Sequence, residues 1–407
     1  MARLPRAHTL RQAALAGLAA NALWPPVDRT GPRGAIGSFA AGWLAGDLAP
    51  QLLALGIADT AVSAARRKVS PLGLALAGAA AAGFALNVHR AGSARGLLDQ
   101  ALTETLGAPP GERTPLDLAQ LARPFRMKNP AVEVIRDLAY ADSDSSRARL
   151  DIYRPAGIQL SRAPVLFHVH GGAWTLGSKE QQGQLLMNRM AAANGWVCVT
   201  INYRLAPKHR WPAQIVDVKR ALAWVHEHIA DYGGDPDYVV ATGGSAGGHL
   251  AALAALTPGF APFQPGFEDA DTRVSACVPF YGVYDVAGDD GDRYTARVRD
   301  GLWTHKVMPE GATIEDFRQA SPIHHITEDA PDFFVLHGAL DTLVSKRQAL
   351  AFVARLREVS EATVTYVEMP GAQHAFDVFG GIRAHHAVAA VERWLLWHRD
   401  RAGARLG

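Results

Sequence analysis

The 407-residue sequence has only two cysteines, Cys198 and Cys277. Each falls inside an apolar run that reads as a core strand, 196–201 and 273–280, so small buried thiols are expected and a disulfide framework is not. Neither cysteine stands near the start, and no lipid-anchored lipoprotein signal is expected. Charge of one sign is equally scarce in excess: 41 Lys and Arg against 39 Asp and Glu leave a net of +2, which offers no argument for nucleic acid as a partner. The acidic run Asp289-Asp290-Gly291-Asp292 lacks the ligand spacing and closing glutamate of a calcium loop and reads as a solvated turn. The pairs His324-His325 and His385-His386 have no cysteine or carboxylate pattern around them, so no metal is expected, and nothing in the chain asks for a cofactor.

What the sequence has instead is a β-branched run, 239–242, that breaks into Gly243-Gly244-Ser245-Ala246-Gly247 and then an Ala/Leu helix former. A serine hydroxyl is a weak nucleophile. It becomes useful when a sharp strand-to-helix turn presents it, and such a turn needs small neighbours on either side. Alone, the pentapeptide also fits a plain glycine-rich turn or a phosphate cradle. The run 164–170 ends in His170-Gly171-Gly172-Ala173-Trp174, a candidate oxyanion loop whose small residues let a substrate approach the backbone. The expected donors are the N–H groups of Gly172 and Ala173, with Ala246 from the serine turn, while Gly171 shapes the loop and contributes as well. Two later core runs supply the remaining groups: 332–337 is followed by Asp341, and 363–369 is followed by His374. Nucleophile, acid and base thus come in the order Ser245, Asp341, His374, each just beyond a strand's carboxyl end, where open α/β sheets collect their chemistry. In that reading His374 takes the serine proton and Asp341 holds the imidazole.

These pieces, together with Asn202-Tyr203-Arg204-Leu205-Ala206-Pro207, 211–218 and His374-Ala375-Phe376, resemble the α/β-hydrolase superfamily, specifically hormone-sensitive-lipase-like (bacterial family IV) carboxylesterases. They are also similar to acetyl-xylan and feruloyl esterases. The resemblance covers about 150–399. It implies an α/β fold with a mostly parallel central sheet, helices on both faces, and ester hydrolysis through an acyl-enzyme on Ser245. Ala173 stands where the family usually has a third glycine, and Gly244 where aspartate is common before the nucleophile. Carbohydrate acetyl or feruloyl esterase, N-formyl amide hydrolase, and a non-catalytic envelope protein keeping the fold are the alternatives, and the expected partner is a small-molecule or lipid ester.

The surplus of the chain is N-terminal. Residues 1–100 are rich in Ala, Gly and Leu, with apolar segments 13–24, 35–58 and 72–88, the last flanked by Arg66-Arg67-Lys68 and by His89-Arg90. The expectation is a helical apolar region that associates with a membrane or the cell envelope, against a secretory leader, a helical layer packed on the catalytic domain, or a cytoplasmic protein. Residues 101–140 read as a linker or lid, and 141–401 as the catalytic domain with a cap-like insertion at about 257–326. Tyr281, Tyr284, Trp303 and Phe317 of that insertion are candidates for an acyl or aryl pocket. Because every catalytic group follows His170, a chain beginning near residue 105 is expected to keep hydrolysis of a soluble ester.

Overall fold

The computed structural model describes residues 6–26, 32–107, 114–141, 146–289 and 291–406; Arg3 of the possible leader and Asp290 of the acidic run lie outside them. Eight strands form one sheet: β1 Val132–Ala139, β2 Arg149–Pro155, β3 Ala163–Val169, β4 Val197–Ile201, β5 Gly234–Gly244, β6 Ala276–Phe280, β7 Asp332–Gly338 and β8 Val364–Met369. Their spatial order is β1-β2-β4-β3-β5-β6-β7-β8. The β1/β2 and β2/β4 pairs are antiparallel, and every pair from β4 to β8 is parallel. Strand β1 corrects the expectation for 101–140: the sheet begins inside that stretch, not after it. Its pattern is shallow, with Arg136 and Asp137 exposed, as befits an edge, so it carries little of the periodicity that marks a core strand.

Twelve α-helices are found among the described residues, beside three short 3₁₀ turns and a π-helical stretch at Arg299–Val307: α1 Arg6–Leu23, α2 Pro32–Asp47, α3 Ala49–Ala65, α4 Pro71–Leu106, α5 Leu118–Ala122, α6 Gln184–Asn194, α7 Ala213–His228, α8 Ala246–Leu256, α9 Arg293–Val298, α10 Ile314–Gln319, α11 Lys346–Val359 and α12 Ile382–Leu406. The pleat sends alternate side chains to opposite faces. Val165, Phe167, Val239, Ala241 and Phe333 meet α7, α8 and α11 on one face. Leu166, Cys198, Val240, Val278 and Phe334 meet α4, α6 and α12 on the other. Cys198 and Cys277 are both buried and free, and they point to opposite faces.

Helix α4 runs 36 residues because its ends are chemically marked: Ser70 caps the first turn by accepting from the Gly73 N–H, Pro71 opens it, and Gly107 closes it at φ 82°. Its two halves do different things. Ala94, Leu98 and Leu102 are fully buried beside Met187, Val391 and Trp394 in the catalytic core. Upstream, Ala80 and Phe84 join Ala19, Ala22, Ala45 and Ala49 in a separate small core. There α1 runs parallel to α4 and antiparallel to α3: Gly83 packs on Ala19, and His8 bonds Thr60 at 3.2 Å. The N-terminal region is therefore helical, as expected, but its base is a layer of the catalytic domain. That revises the expectation for a chain beginning near residue 105, which would lack Leu98 and Leu102.

Candidate active site

Ser245 sits between β5 and α8 with φ 58° and ψ −121°, a backbone conformation that costs a non-glycine residue free energy and marks a nucleophile elbow. The turn closes because Gly247 lets α8 press on β3: a Cβ there would overlap the carbonyl oxygen of Val169. The Ser245 N–H donates to the Phe280 carbonyl at 3.0 Å, which pins the elbow to β6.

The candidate oxyanion loop follows β3. Gly172 adopts φ 122°, and Ala173 and Trp174 are left-handed at 50° and 59°. Among the described residues, the N–H groups of Gly172, Ala173 and Ala246 have no hydrogen-bond partner in the chain, as donors reserved for a ligand should. Gly171 differs. Its N–H donates to Gln182 Oε1 at 2.8 Å, so it is spent on holding the loop, which corrects its expected place among the donors. Behind the loop, Trp174 is 2% exposed and its indole N–H donates to His249 Nδ1 at 3.1 Å. The other nitrogen, His249 Nε2, donates to the Ala320 carbonyl at 2.7 Å, and burial pushes the imidazole down to about 4. His249 is thus a neutral imidazole, donating at one nitrogen and accepting at the other. His170 is similarly fixed: Arg147 donates to Nε2 at 3.2 Å while Nδ1 donates to the Gly171 carbonyl at 2.7 Å.

Asp341 and His374 meet as expected, with His374 Nδ1 2.7 Å from Asp341 Oδ2. The other carboxylate oxygen accepts the N–H groups of Leu343 and Val344, each at 2.8 Å. Burial alone would raise the Asp341 pKa, but His374 and His337 facing the carboxylate outweigh it and hold the group below the ordinary carboxylate range. His337 Nε2 lies 3.3 Å from Oδ2, a second imidazole on the same oxygen. Gln373 Oε1 accepts the backbone N–H groups of both Thr342 and His374, at 2.8 and 2.9 Å, so one side chain locks the acid and base loops together. Ser245 Oγ and His374 make no hydrogen bond to each other; such contacts often tighten only when substrate is bound.

Of the four aromatic candidates, Tyr281 alone lies against the site, its ring 4.5 Å from that of His374 and its hydroxyl bonded to Asp377. Tyr284 stacks on Phe352 at 4.2 Å, Trp303 packs on Trp174 at 4.4 Å, and Phe317 joins the same core. All three are buried. Arg204 and Asp217 form an ion pair, 2.7 Å apart. Two grooves of about 910 and 410 Å³, one beside 114–130 and one between α1, α3 and α4, contain neither Ser245 nor His374.

The BD-FAE family profile matches residues 150–356, half of the chain and the whole span from β2 through Ser245 and Asp341 into α11. The chain belongs to the BD-FAE family. Its relatives within the α/β-hydrolase esterases include the probable carboxylic ester hydrolase LipM of Mycobacterium tuberculosis, 46% identical over 353 residues, covering 79% of this chain and 78% of LipM. Esterase LipQ of the same organism is 48% identical over 262 residues, covering 63% of this chain and 61% of LipQ. Among solved structures, the thermophilic esterase Est2 of Thermogutta terrifontis with propionate bound is 26% identical with TM-score 0.53, covering 67% of this chain and 95% of Est2. This family member is a carboxylic ester hydrolase. Gln182, Gln373 and His249, which tune the site from one layer out, carry no motif of their own; Gln373 is marked in the sequence only by standing beside His374.

Proposed function

We propose that this esterase works through an acyl-enzyme on Ser245. Ser245 Oγ attacks the ester carbonyl and passes its proton to His374 Nε2, the new carbon–oxygen bond carries the acyl group, and the alcohol leaves with that proton. Water then gives its proton to His374, attacks the acyl carbon, and frees the acid as Ser245 is restored. Asp341 keeps Nε2 facing the serine and stabilises the imidazolium. The N–H groups of Gly172, Ala173 and Ala246 receive the carbonyl oxygen as it becomes an oxyanion. The observation that carries this reading is the 2.7 Å contact between His374 Nδ1 and a buried Asp341, in one sheet with a strained serine elbow and three unspent backbone donors. Short acyl esters are the proposed substrate class, since Est2 has been seen with propionate and with butyrate. A fluorophosphonate probe on the full chain should label Ser245 and abolish hydrolysis of p-nitrophenyl butyrate; labelling at another residue, or none, overturns the assignment.

The N-terminal helices support a second, separate inference, association with a lipid surface. Helix α4 is long and apolar enough to cross a membrane, and of its most apolar 18 residues only 22% are buried. Leu10, Trp24, Leu55, Ile57, Val62 and Leu72 on α1, α3 and α4 and their ends stand 50% or more exposed. Arg66, Arg67 and Lys68 close the far end of this bundle, in reach of anionic headgroups. Co-sedimentation with liposomes containing anionic phospholipid, at low and high salt, tests it: apolar insertion survives screening, and failure to sediment at both salts refutes it.

A further inference from the structure

Helix α2 lies directly against the loop that carries His374, although nothing in its sequence speaks of catalysis. The Phe39 ring meets the His374 ring edge-on, 5.9 Å between centroids, and the Tyr281 ring lies 4.5 Å from the same imidazole. Trp43, one turn later, donates its indole N–H to the Ala375 carbonyl at 2.8 Å, across 332 positions of sequence. The two α2 rings stack on each other at 5.5 Å, and Trp43 stacks on Phe379 at 4.4 Å. The same helix reaches the acid loop, where Thr342 Oγ1 donates to the Ala35 carbonyl at 3.4 Å. Gly42 brings the helix close between these contacts: a Cβ there would lie 3.1 Å from the Asn21 side-chain amide and 3.3 Å from the Gln373 amide that locks the two loops. The far end of α2 is fixed by Arg383, 1% exposed, whose guanidinium donates to the carbonyls of Gly46 and Pro370 and to Asn87 of α4.

The contacts of Phe39, Trp43 and Ala35 with the rest of the chain converge on residues 342 and 374–379, and the two rings also pack against the core on that face of the sheet. An imidazole that relays protons must hold its ring within a narrow range, because misplacing it by an ångström costs about 10²-fold in rate. We propose that Phe39 and Trp43 are positioning residues for the general base, so that the N-terminal helical region completes an active site whose base loop it precedes by more than 300 residues of sequence. The proposal rests on the reading of His374 as the base. It assigns α2 a function that differs from lipid association: α1, α3 and the distal half of α4 face outward, whereas α2 faces the chemistry.

The test uses the full chain with p-nitrophenyl butyrate, with kcat expressed per active site titrated by fluorophosphonate. Phe39→Ala and Trp43→Ala should each lower kcat about tenfold or more while KM stays within about twofold. Trp43→Phe, which keeps the stacking and loses the indole N–H, should fall between wild type and Trp43→Ala, and Phe39→Tyr should restore most of the Phe39→Ala loss. A role confined to stability would reduce the number of titratable sites and the melting temperature but leave kcat per site unchanged, and that result overturns the proposal. If the alanine variants do not fold, Trp43→Phe decides: unchanged kcat per site refutes, reduced kcat at unchanged KM supports. Wild type that fails to label at Ser245 sinks the triad reading and this inference with it, whereas normal labelling with unaffected variants sinks this inference alone.

Discussion

The parallel sheet and the N-terminal helices bury apolar surface in opposite ways. Strands β3 through β7 are sealed on both faces, with Val165, Phe167 and Phe333 on one and Leu166, Val240 and Phe334 on the other all at 0% exposure, and they hold loops whose tips carry the chemistry. Helices α1, α3 and the first half of α4 share a core whose fully buried members are alanines and Phe84, with Leu15, Leu18, Leu52 and Leu53 packed at its margin, and they turn Leu10, Leu55, Ile57 and Leu72 outward. A sealed core defines positions to fractions of an ångström. Small-residue helices pack closely with little apolar area between them and leave the larger side chains for another phase. Helices α2 and the second half of α4 join the two regimes, and the consequences of mutation should divide along that line.

The largest effect belongs at the loops beyond the strands' carboxyl ends. Ser245→Ala should lower kcat by roughly 10⁴-fold or more, and Asp341→Asn by about 10³- to 10⁴-fold, since an amide would favour the wrong imidazole tautomer. Neither should alter partition to liposomes. Steady-state kinetics on the full chain checks both, and an Asp341→Asn enzyme within tenfold of wild type would point to another acid. Next comes the join. Leu98→Ala, at 1% exposure, should destabilise by about 2–5 kcal/mol, measured by urea denaturation followed by tryptophan fluorescence. A cost below about 0.5 kcal/mol would mean that the base of α4 is only laid against the domain.

Acid should find the sealed region before it touches the helices. Burial holds His168 and His249 near 4 and neutral, whereas an unfolded histidine titrates near 6.5. Between those values the unfolded chain binds the extra protons, so stability present above pH 6.5 is lost as pH falls towards 4, by up to about 1.4 kcal/mol per pH unit for each group. Protonating His249 Nδ1 would also evict the Trp174 indole from its acceptor, next to the oxyanion loop. His249→Gln keeps an acceptor and a donor but does not titrate. Its denaturation midpoint should change less between pH 7 and pH 5 than that of wild type, and equal slopes would exclude His249 as a contributor.

Much of the catalytic half was legible in the sequence because its signals are local. A buried parallel strand is a short apolar run, and Ser245, Asp341 and His374 each follow one directly. Gly171 was misjudged as a donor because the Gln182 side chain that engages its N–H stands eleven residues on, in a stretch without pattern. Strand β1 was missed because an edge strand with Arg136 and Asp137 outward lacks a core strand's pattern. The contacts of Phe39 and Trp43 with the His374 loop have no local signature at all, since they exist only after the chain has closed on itself. Apolar composition identified the N-terminal helices but could not say which of them face the protein and which face away.

That last distinction yields the smallest effect in water and the sharpest test of the comparison. Leu55, Ile57 and Leu72 are 60%, 57% and 62% exposed, so changing them to serine removes almost no packing. Leu55→Ser, Ile57→Ser and Leu72→Ser combined should leave hydrolysis of p-nitrophenyl butyrate at its wild-type rate and shift stability by no more than about 0.5 kcal/mol per site. In a bilayer each such side chain is worth about 1.5–3 kcal/mol of burial, so the triple variant should lose most of its co-sedimentation with anionic liposomes, at high salt as well as low. The reverse outcome, unchanged sedimentation with reduced activity, would mean that these three side chains face protein and that the outward surface of the bundle has been assigned to the wrong phase.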